Sequence, residues 1–241
     1  KLGVILAVAG SAIGLGNFLR FPVKAATYGG GAFLIPYMIA FVLLGIPLAW
    51  VEWTMGRYGG RYSHGSAPGI LDVIVRKPWA KYVGSLGILG PLLIYFYYVY
   101  IESWLLGFAF YALNGELLNA VETNTITGFF GNYITLQTTL FANIPAALVF
   151  FLVTFILNFA IIGFGVRRGI EVANKFALPL IFVLGIVLLI RVLTIPDIDR
   201  GLAFMWNPDF SSLLKPKVWL EASGQIFFTL SVGIGVILTY A

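Results

Sequence analysis

The sequence predicts an all-α polytopic membrane protein, and three observations carry that prediction: the residue balance, the length of the apolar runs, and glycine-rich interruptions inside two of them. Of 241 residues, 60% are hydrophobic, 16% aromatic and only 10% charged, with a mean hydropathy of +0.95. An ordinary soluble domain carries about 25% charged residues. A spanning helix needs about 20 mostly apolar residues. On that measure six segments are predicted, at about 2 to 26, 31 to 58, 79 to 113, 142 to 164, 170 to 193 and 217 to 241.

The first segment contains Gly10-Ser11-Ala12-Ile13-Gly14-Leu15-Gly16-Asn17-Phe18-Leu19-Arg20-Phe21-Pro22, in which glycines, an asparagine and an arginine puncture an apolar run. This pattern predicts a helix broken near 11 to 16. In hydrocarbon every backbone N–H and C=O must find a partner, so non-helical backbone persists at membrane depth only where it is buried in protein or lines a cavity. Carbonyls at the end of the first half-helix can hold a cation. N–H groups at the start of the second can hold a carboxylate, helped by the helix dipole. Taken alone, Gly10 and Gly14 also fit a GxxxG packing face.

The second segment is continuous and carries Glu52. The third is longer than one span requires, so it is predicted to tilt strongly or to protrude from the bilayer. It carries an aromatic run from 95 to 100 and then Glu102. The fourth and fifth are plain apolar spans. The sixth repeats the pattern of the first, with Gln225-Ile226-Phe227-Phe228-Thr229-Leu230-Ser231-Val232-Gly233-Ile234-Gly235 predicting a break near 230 to 235. The broken segments stand five helices apart, and an odd offset gives them opposite orientations. Inverted-topology repeats require this arrangement, with a binding site between the breaks at the bilayer midplane. Two breaks at a repeat spacing, each with polar side chains beside the glycines, favour a site over a packing face.

Residues 115 to 140 and 195 to 216 read as polar loops. Arg57, Arg61, Arg76, Lys77 and Lys81 crowd the loop from 57 to 81, and Arg167 and Arg168 the turn near 165, whereas 115 to 140 holds no basic residue. The positive-inside rule then places the first two of these, and the N-terminus at Lys1, in the cytoplasm. Arg200, Lys215 and Lys217 lie in a loop assigned outside, against that trend. The loop bias accounts for the net charge of +5 and the pI near 9.4. No clustered basic face points to nucleic acid, and no removable signal peptide is expected. With no cysteine there is neither a disulfide framework nor a thiolate metal site. The single histidine, His64, reads as a solvated loop residue. A membrane-embedded hydrolase is disfavoured by the lack of an HExxH pair, a GxSxG elbow and any cysteine, so no enzyme is predicted.

Charged residues at membrane depth are costly and mark functional positions by default. Arg20, Glu52 and Glu102 are of this kind. Glu52 is expected to accept hydrogen bonds from backbone N–H groups freed by the break in the sixth helix.

The first broken stretch, Tyr28-Gly29-Gly30-Gly31-Ala32-Phe33, Gly45-Ile46-Pro47-Leu48, Glu52-Trp53, Met55-Gly56-Arg57, Tyr97-Tyr98-Val99-Tyr100-Ile101-Glu102-Ser103-Trp104 and the second broken stretch together resemble the neurotransmitter:sodium symporters. These are sodium- and chloride-dependent transporters, and the likeness is greatest to the prokaryotic leucine-transporter (LeuT) branch. It runs over nearly the whole chain. It implies the LeuT-like inverted-repeat fold, here the first five-helix repeat plus the discontinuous helix 6, with later helices lying beyond residue 241.

The resemblance also implies a site. One Na⁺ would be held by the Ala12 carbonyl, the Asn17 side chain and the carbonyl and hydroxyl of Thr229, with the substrate carboxylate as a further ligand. A second Na⁺ would take the carbonyls of Gly10 and Ile13, its remaining ligands coming from a later helix. The substrate carboxylate would meet the N–H groups of Leu15 and Gly16 and the Tyr98 hydroxyl. Its ammonium would meet carbonyls around Ala12, Phe228, Thr229 and Ser231, and Ile94, Tyr98, Phe228, Ser231 and Ile234 would enclose its side chain. Two walls depart from the leucine transporter, because Ile234 replaces an aromatic and Ile94 is one methylene larger than the valine there. Leucine preference is therefore not carried over. Arg20, Tyr98 and Phe228 match the outer gate, with the acidic partner of Arg20 expected beyond residue 241. Gln225 and Tyr37 match the chloride-associated region, but chloride dependence is not read from the sequence.

The function implied is Na⁺-driven symport of a small amino acid across the plasma membrane by alternating access. A non-transporting, receptor-like amino-acid-binding protein on the same fold is the second reading. The partners implied are the amino acid, Na⁺ and the lipid bilayer, with homodimerisation an open option. A chain of this extent is expected not to transport alone, being a fragment or one of two assembling halves.

Overall fold

The computed structural model describes residues 8–241. Lys1 and the predicted start of the first helix at residue 2 lie outside the described residues. The described chain is built from helices, with an isolated antiparallel bridge between Thr139 and Pro145. In order these are α1 (8–12), α2 (a π-helical turn Gly16–Arg20 running into Phe21–Thr27), α3 (Gly30–Gly60), α4 (Ala67–Val75) and α5 (Ala80–Leu113). There follow α6 (Glu116–Glu122), α7 (Ile126–Ile134), α8 (Ala146–Gly163), α9 (Arg168–Leu193), α10 (Ile198–Trp206), α11 (Pro216–Leu230) and α12 (Val236–Tyr240).

Among the described residues four helices, α3, α5, α8 and α9, are long and apolar enough to cross a membrane. The first and sixth predicted segments are each interrupted, at 13–14 and at 231–235. At 34 residues, α5 extends about 50 Å at 1.5 Å per residue, against a hydrocarbon core of about 30 Å.

Prolines explain the irregular turns. Pro22 and Pro47 offer no N–H to the preceding turn, and their rings crowd the carbonyl four residues back. In both places the helix widens just before the proline: the Phe21 N–H donates to the Gly16 carbonyl and the Ile46 N–H to the Phe41 carbonyl, each five residues back. Such π-turns relieve the clash without ending the helix.

Two compact units result. In the first, comprising residues up to Pro91 and from Glu171 onward, α3 is the spine. It packs against α11 along its first part and against α12 along its last. Glycines permit the approach: a Cβ on Gly45 would lie 2.7 Å from Leu230 and 2.9 Å from Ile226, and one on Gly56 would lie 2.5 Å from the Leu238 carbonyl. Ala25, Phe33, Val218 and Ala222 form a buried cluster joining α2, α3 and α11, flanked by Phe21, Tyr28 and Tyr37. The second unit, Leu92–Ile170, has its own core of Tyr111, Tyr133, Ala146, Ala147 and Phe150. There the Asn158 amide donates to Glu102 at 2.9 Å, so the carboxylate within α5 is answered by a polar side chain on α8.

The polar connections are more ordered than the sequence reading expects. The stretch from 115 to 140 contains α6 and α7, that from 195 to 216 contains α10 and a 3₁₀ turn Phe210–Leu214, and the basic loop from 57 to 81 contains α4. These helices are of seven to nine residues, shorter than the window over which hydrophobic periodicity is read. Local devices support them. Asp209 caps the 3₁₀ turn by accepting from the Ser211 N–H at 2.9 Å and the Ser211 hydroxyl at 2.7 Å, which holds its carboxyl below the usual range. His64 is exposed in the segment that precedes α4.

One glycine is fixed by backbone rather than side chain. A Cβ on Gly31 would stand 1.8 Å from the Met205 carbonyl oxygen, so α10 lies directly on the start of α3. Gly31→Ala is expected to cost about 1 to 3 kcal/mol by overpacking and to lower the apparent melting temperature of the detergent-solubilised protein by several degrees. Gly185→Ala, where nothing lies within 4 Å, serves as control and should melt with the parent. Equal melting of both variants would remove this contact as a constraint.

Candidate functional site

The first interruption lies at Ile13 and Gly14, between α1 and α2. Ending α1 at Ala12 leaves its last carbonyls without helical partners. Asn17, in the first turn of α2, reaches back and donates its amide to the Ala12 carbonyl at 2.9 Å. The Asn17 N–H bonds the Gly14 carbonyl at 3.0 Å, and the Ser11 hydroxyl bonds the Val8 carbonyl at 2.8 Å. The Ala12 carbonyl and Asn17 carboxamide are therefore one local cluster of hard oxygen and amide groups. Leu15 and Gly16 stand at the start of α2, where a helix presents its N–H groups.

The second interruption is the turn 231–235 between α11 and α12. Ser231 ends α11 in the left-handed region at φ 53°, and Gly233 and Gly235 follow at φ 82° and 81°. Glycine takes that conformation freely; serine pays for it. The Gly233 N–H is captured by the Glu52 carboxylate of α3, the role expected for that residue from its position.

The two interruptions meet within the first unit. The Ser231 hydroxyl donates to the Ser11 carbonyl at 3.3 Å. Gln225 is wholly buried and donates to the Gly16 carbonyl at 3.1 Å and the Thr229 hydroxyl at 3.2 Å. Phe228 sets one edge of its ring against the opening of α2: a Cβ on Gly16 would stand 2.4 Å from its Cδ1 and Cε1 atoms. The Arg20 guanidinium covers that ring at 5.2 Å. Ala12, Gly16, Asn17, Arg20, Phe228, Thr229 and Ser231 are thereby brought into one neighbourhood by the chain itself. Gly10 and Ile13 flank the first interruption, and Gly10 is packed against Asn174 of α9, whose amide group a Cβ would meet at 2.4 Å. Ile234 is half-buried in the second turn.

Ile94 and Tyr98 belong to the second unit. They are one turn apart on the same face of α5, both half-buried, with the Tyr98 ring 6.4 Å from that of Tyr97. The second unit also holds an apolar cavity of about 420 Å³, lined by Phe108, Leu117, Ile126, Thr127, Phe129 and Phe130, which involves none of the predicted site residues.

Sequence reading missed three features here. Glu221, a residue to which it gave no role, lies 2.8 Å from Lys24 and 4.0 Å from Arg20, so Arg20 has an acidic neighbour inside this chain, where the sequence reading looked for one beyond residue 241. The Gln225 to Gly16 bond was not anticipated, nor was the contact of Asn174 with Gly10. The i, i+4 spacing of Glu221, Gln225 and Thr229, which sets three polar groups on one stripe of α11, was the available signal.

Comparison with known proteins agrees with this geometry. The model of the sodium:neurotransmitter symporter family matches residues 1–128 and 120–241. An uncharacterised sodium-dependent transporter of Methanocaldococcus jannaschii is 36% identical over 245 residues, covering 100% of this chain and 48% of the relative. One of Haemophilus influenzae is 32% identical over 99% of this chain and 52% of its own length. The sodium-dependent neutral amino acid transporter B(0)AT3 of Mus musculus is 32% identical over 100% of this chain and 41% of its own. The chain thus spans about half the length of the curated relatives it matches. With a family match across its whole length, two interrupted helices in contact and an all-helical membrane architecture, this chain belongs to the sodium:neurotransmitter symporter family.

Proposed function

We propose that the full-length protein is a sodium-coupled symporter of a small amino acid, working by alternating access at the plasma membrane with its N-terminus in the cytoplasm. The observation that carries this reading is the mutual contact of the two helix interruptions through Ser231 to Ser11 and Gln225 to Gly16. It gathers oxygen ligands and helix ends of both signs at one place, as a site for a cation and a zwitterion requires. The names of the relatives support sodium dependence, and that of the mouse relative supports a neutral amino acid.

In this reading Ala12, Asn17 and Thr229 hold one Na⁺, with hard oxygens matched to a hard cation, and Gly10 and Ile13 contribute to a second. Leu15, Gly16 and Tyr98 receive the substrate carboxylate. In a low-dielectric pocket that carboxylate lies close enough to the first Na⁺ for each charge to favour the other, which couples ion to substrate. Carbonyls around Ala12, Phe228, Thr229 and Ser231 receive the ammonium, and Ile94, Tyr98, Phe228, Ser231 and Ile234 bound the side chain. Arg20, Tyr98 and Phe228 close the site. The second reading is a receptor-like protein that binds without moving its ligand. Uphill uptake of amino acid into proteoliposomes under a Na⁺ gradient supports the first; saturable Na⁺-dependent binding without uptake supports the second.

Asn17→Ala or Thr229→Ala in the full-length protein should weaken Na⁺-dependent amino-acid binding at least tenfold, about 1.4 kcal/mol. Binding isotherms equal to the parent's across several Na⁺ concentrations would overturn the ion assignment. Tyr98→Phe keeps the ring and removes one hydrogen bond to a charged group, so affinity should fall by about 1.5 to 3 kcal/mol while expression persists. Unchanged affinity would make Tyr98 a packing residue. With Ile234 and Ile94 as walls, alanine, valine and leucine should compete better than tryptophan for a labelled substrate at fixed Na⁺. The preference should be graded, because one methylene in an apolar pocket discriminates by only about 1 to 3 kcal/mol. Tryptophan as the best competitor would show that these residues do not set the pocket's size.

A further inference from the structure

On the side of the interruptions away from α1, the facing surfaces of α2 and α11 carry an unequal set of charges. Arg20 and Lys24 are an i, i+4 pair on α2, and Tyr28, four residues further on, caps its C-terminal end. Opposite them on α11 stands Glu221, which takes the Lys24 ammonium at 2.8 Å and the Tyr28 hydroxyl at 3.3 Å and lies 4.0 Å from Arg20. Lys217, one turn earlier on α11, sits 5.9 Å from the Tyr28 ring, and Lys24 sits 5.4 Å from the same ring. Two cations of α2, Arg20 and Lys24, thus share one carboxylate, the acid within ion-pair reach of both among the described residues, and Lys217 adds a third positive charge beside the Tyr28 ring.

The Lys24 and Glu221 side chains keep only 26% and 21% of their surface exposed, so the pair is shielded from water more than an ordinary surface ion pair. One turn further along the same stripe, Gln225 bonds the start of α2. Glu221 and Gln225 together fasten α11 to α2 at two levels, and between them Arg20 is held over Phe228.

We propose that Glu221 is a positioning residue: a single carboxylate that offsets the repulsion among Arg20, Lys24 and Lys217, keeps α2 and α11 moving as one element, and aligns Arg20 over Phe228. Its mechanism is electrostatic. Removing the charge while keeping the shape leaves like charges facing each other across the two helices, and the helices separate at that end. Removing a cation as well relieves the repulsion. The effect weakens with added salt, since the screening length falls from about 30 Å at 0.01 M to about 8 Å at 0.15 M. The inference rests on the proposed transporter only in calling this element part of a gate; the coupling of the helices is measured without transport.

The test places spin labels on Thr27→Cys and Leu220→Cys, both exposed and neither in the charge cluster. This chain contains no cysteine to interfere, and any cysteine elsewhere in the full-length protein is replaced. Pulsed dipolar distances are recorded in lipid nanodiscs at low and at physiological ionic strength. The parent should give one narrow distribution at both. Glu221→Gln should give a longer and broader one at low ionic strength, narrowing as salt is added. Glu221→Gln with Lys24→Met, and the charge-swapped pair Lys24→Glu with Glu221→Lys, should return towards the parent. A Glu221→Gln distribution identical to the parent's overturns the proposal. So does a broadening that neither salt, Lys24→Met nor the charge swap reverses, because that assigns Glu221 to packing. If labelled Glu221→Gln does not fold, Lys24→Met alone keeps the test open: it should leave the helices together, and separation as large as an unpaired structural contact would give overturns the electrostatic account. Loss of Na⁺-dependent binding in the parent itself would strike at the proposed function and leave these distances standing.

Discussion

Everything at the centre of this protein follows from the cost of leaving a backbone polar group unpaired in a membrane. Each such group costs several kcal/mol in hydrocarbon, and an interrupted helix exposes several at once. Here the two interruptions answer one another. Ser231 on one serves the Ser11 carbonyl on the other, Gln225 serves the Gly16 carbonyl, Asn17 serves Ala12 across its own break, and Glu52 reaches from α3 to the Gly233 N–H. Neither break is satisfied in isolation, which is why both occur and why α3 runs alongside them.

The same accounting leaves room for ligands. A carbonyl has two lone pairs, so the Ala12 oxygen, which takes the Asn17 amide, retains acceptor capacity for a cation or an ammonium, whereas the Gly16 oxygen already takes both the Phe21 N–H and the Gln225 amide. The side chains beside them are small or amide-bearing, and the one large group, Phe228, is accommodated only because Gly16 has no Cβ. Glycine in this chain therefore does two separate jobs. At Gly233 and Gly235 it permits a left-handed turn, and at Gly16, Gly45 and Gly56 it permits close approach between helices.

Charge is distributed in keeping with depth. Within the helices, carboxylates are individually answered, Glu52 by a backbone N–H and Glu102 by Asn158. At the end of α2 the arrangement differs, with two cations, Arg20 and Lys24, gathered round Glu221. A buried carboxylate with one fixed partner holds a shape. A carboxylate shared between two cations holds a balance, and a balance is what a moving element can alter at small cost.

How much was legible in the sequence depends on the range of the forces involved. Membrane character, the helical class, the long spans and the two interruptions were determined by local chemistry: apolar length sets a span, and glycines, Ser231 and Asn17 beside an apolar run mark where a helix gives way. The role of Glu52 was also readable, because a carboxylate at membrane depth demands a donor and a broken helix supplies one. The short helices α4, α6, α7 and α10 were not, since each is shorter than the window over which a helical period can be read. Nor were Glu221 with Lys24, Gln225 with the Gly16 carbonyl, or Asn174 against Gly10. Each joins residues about 160 or more positions apart, and side-chain identity along the chain says nothing of which distant backbone comes within 3 Å. Only the tertiary structure decided those pairings, because they arise from how α2, α3, α9 and α11 pack, and that packing is set by many small contacts at once rather than by any motif.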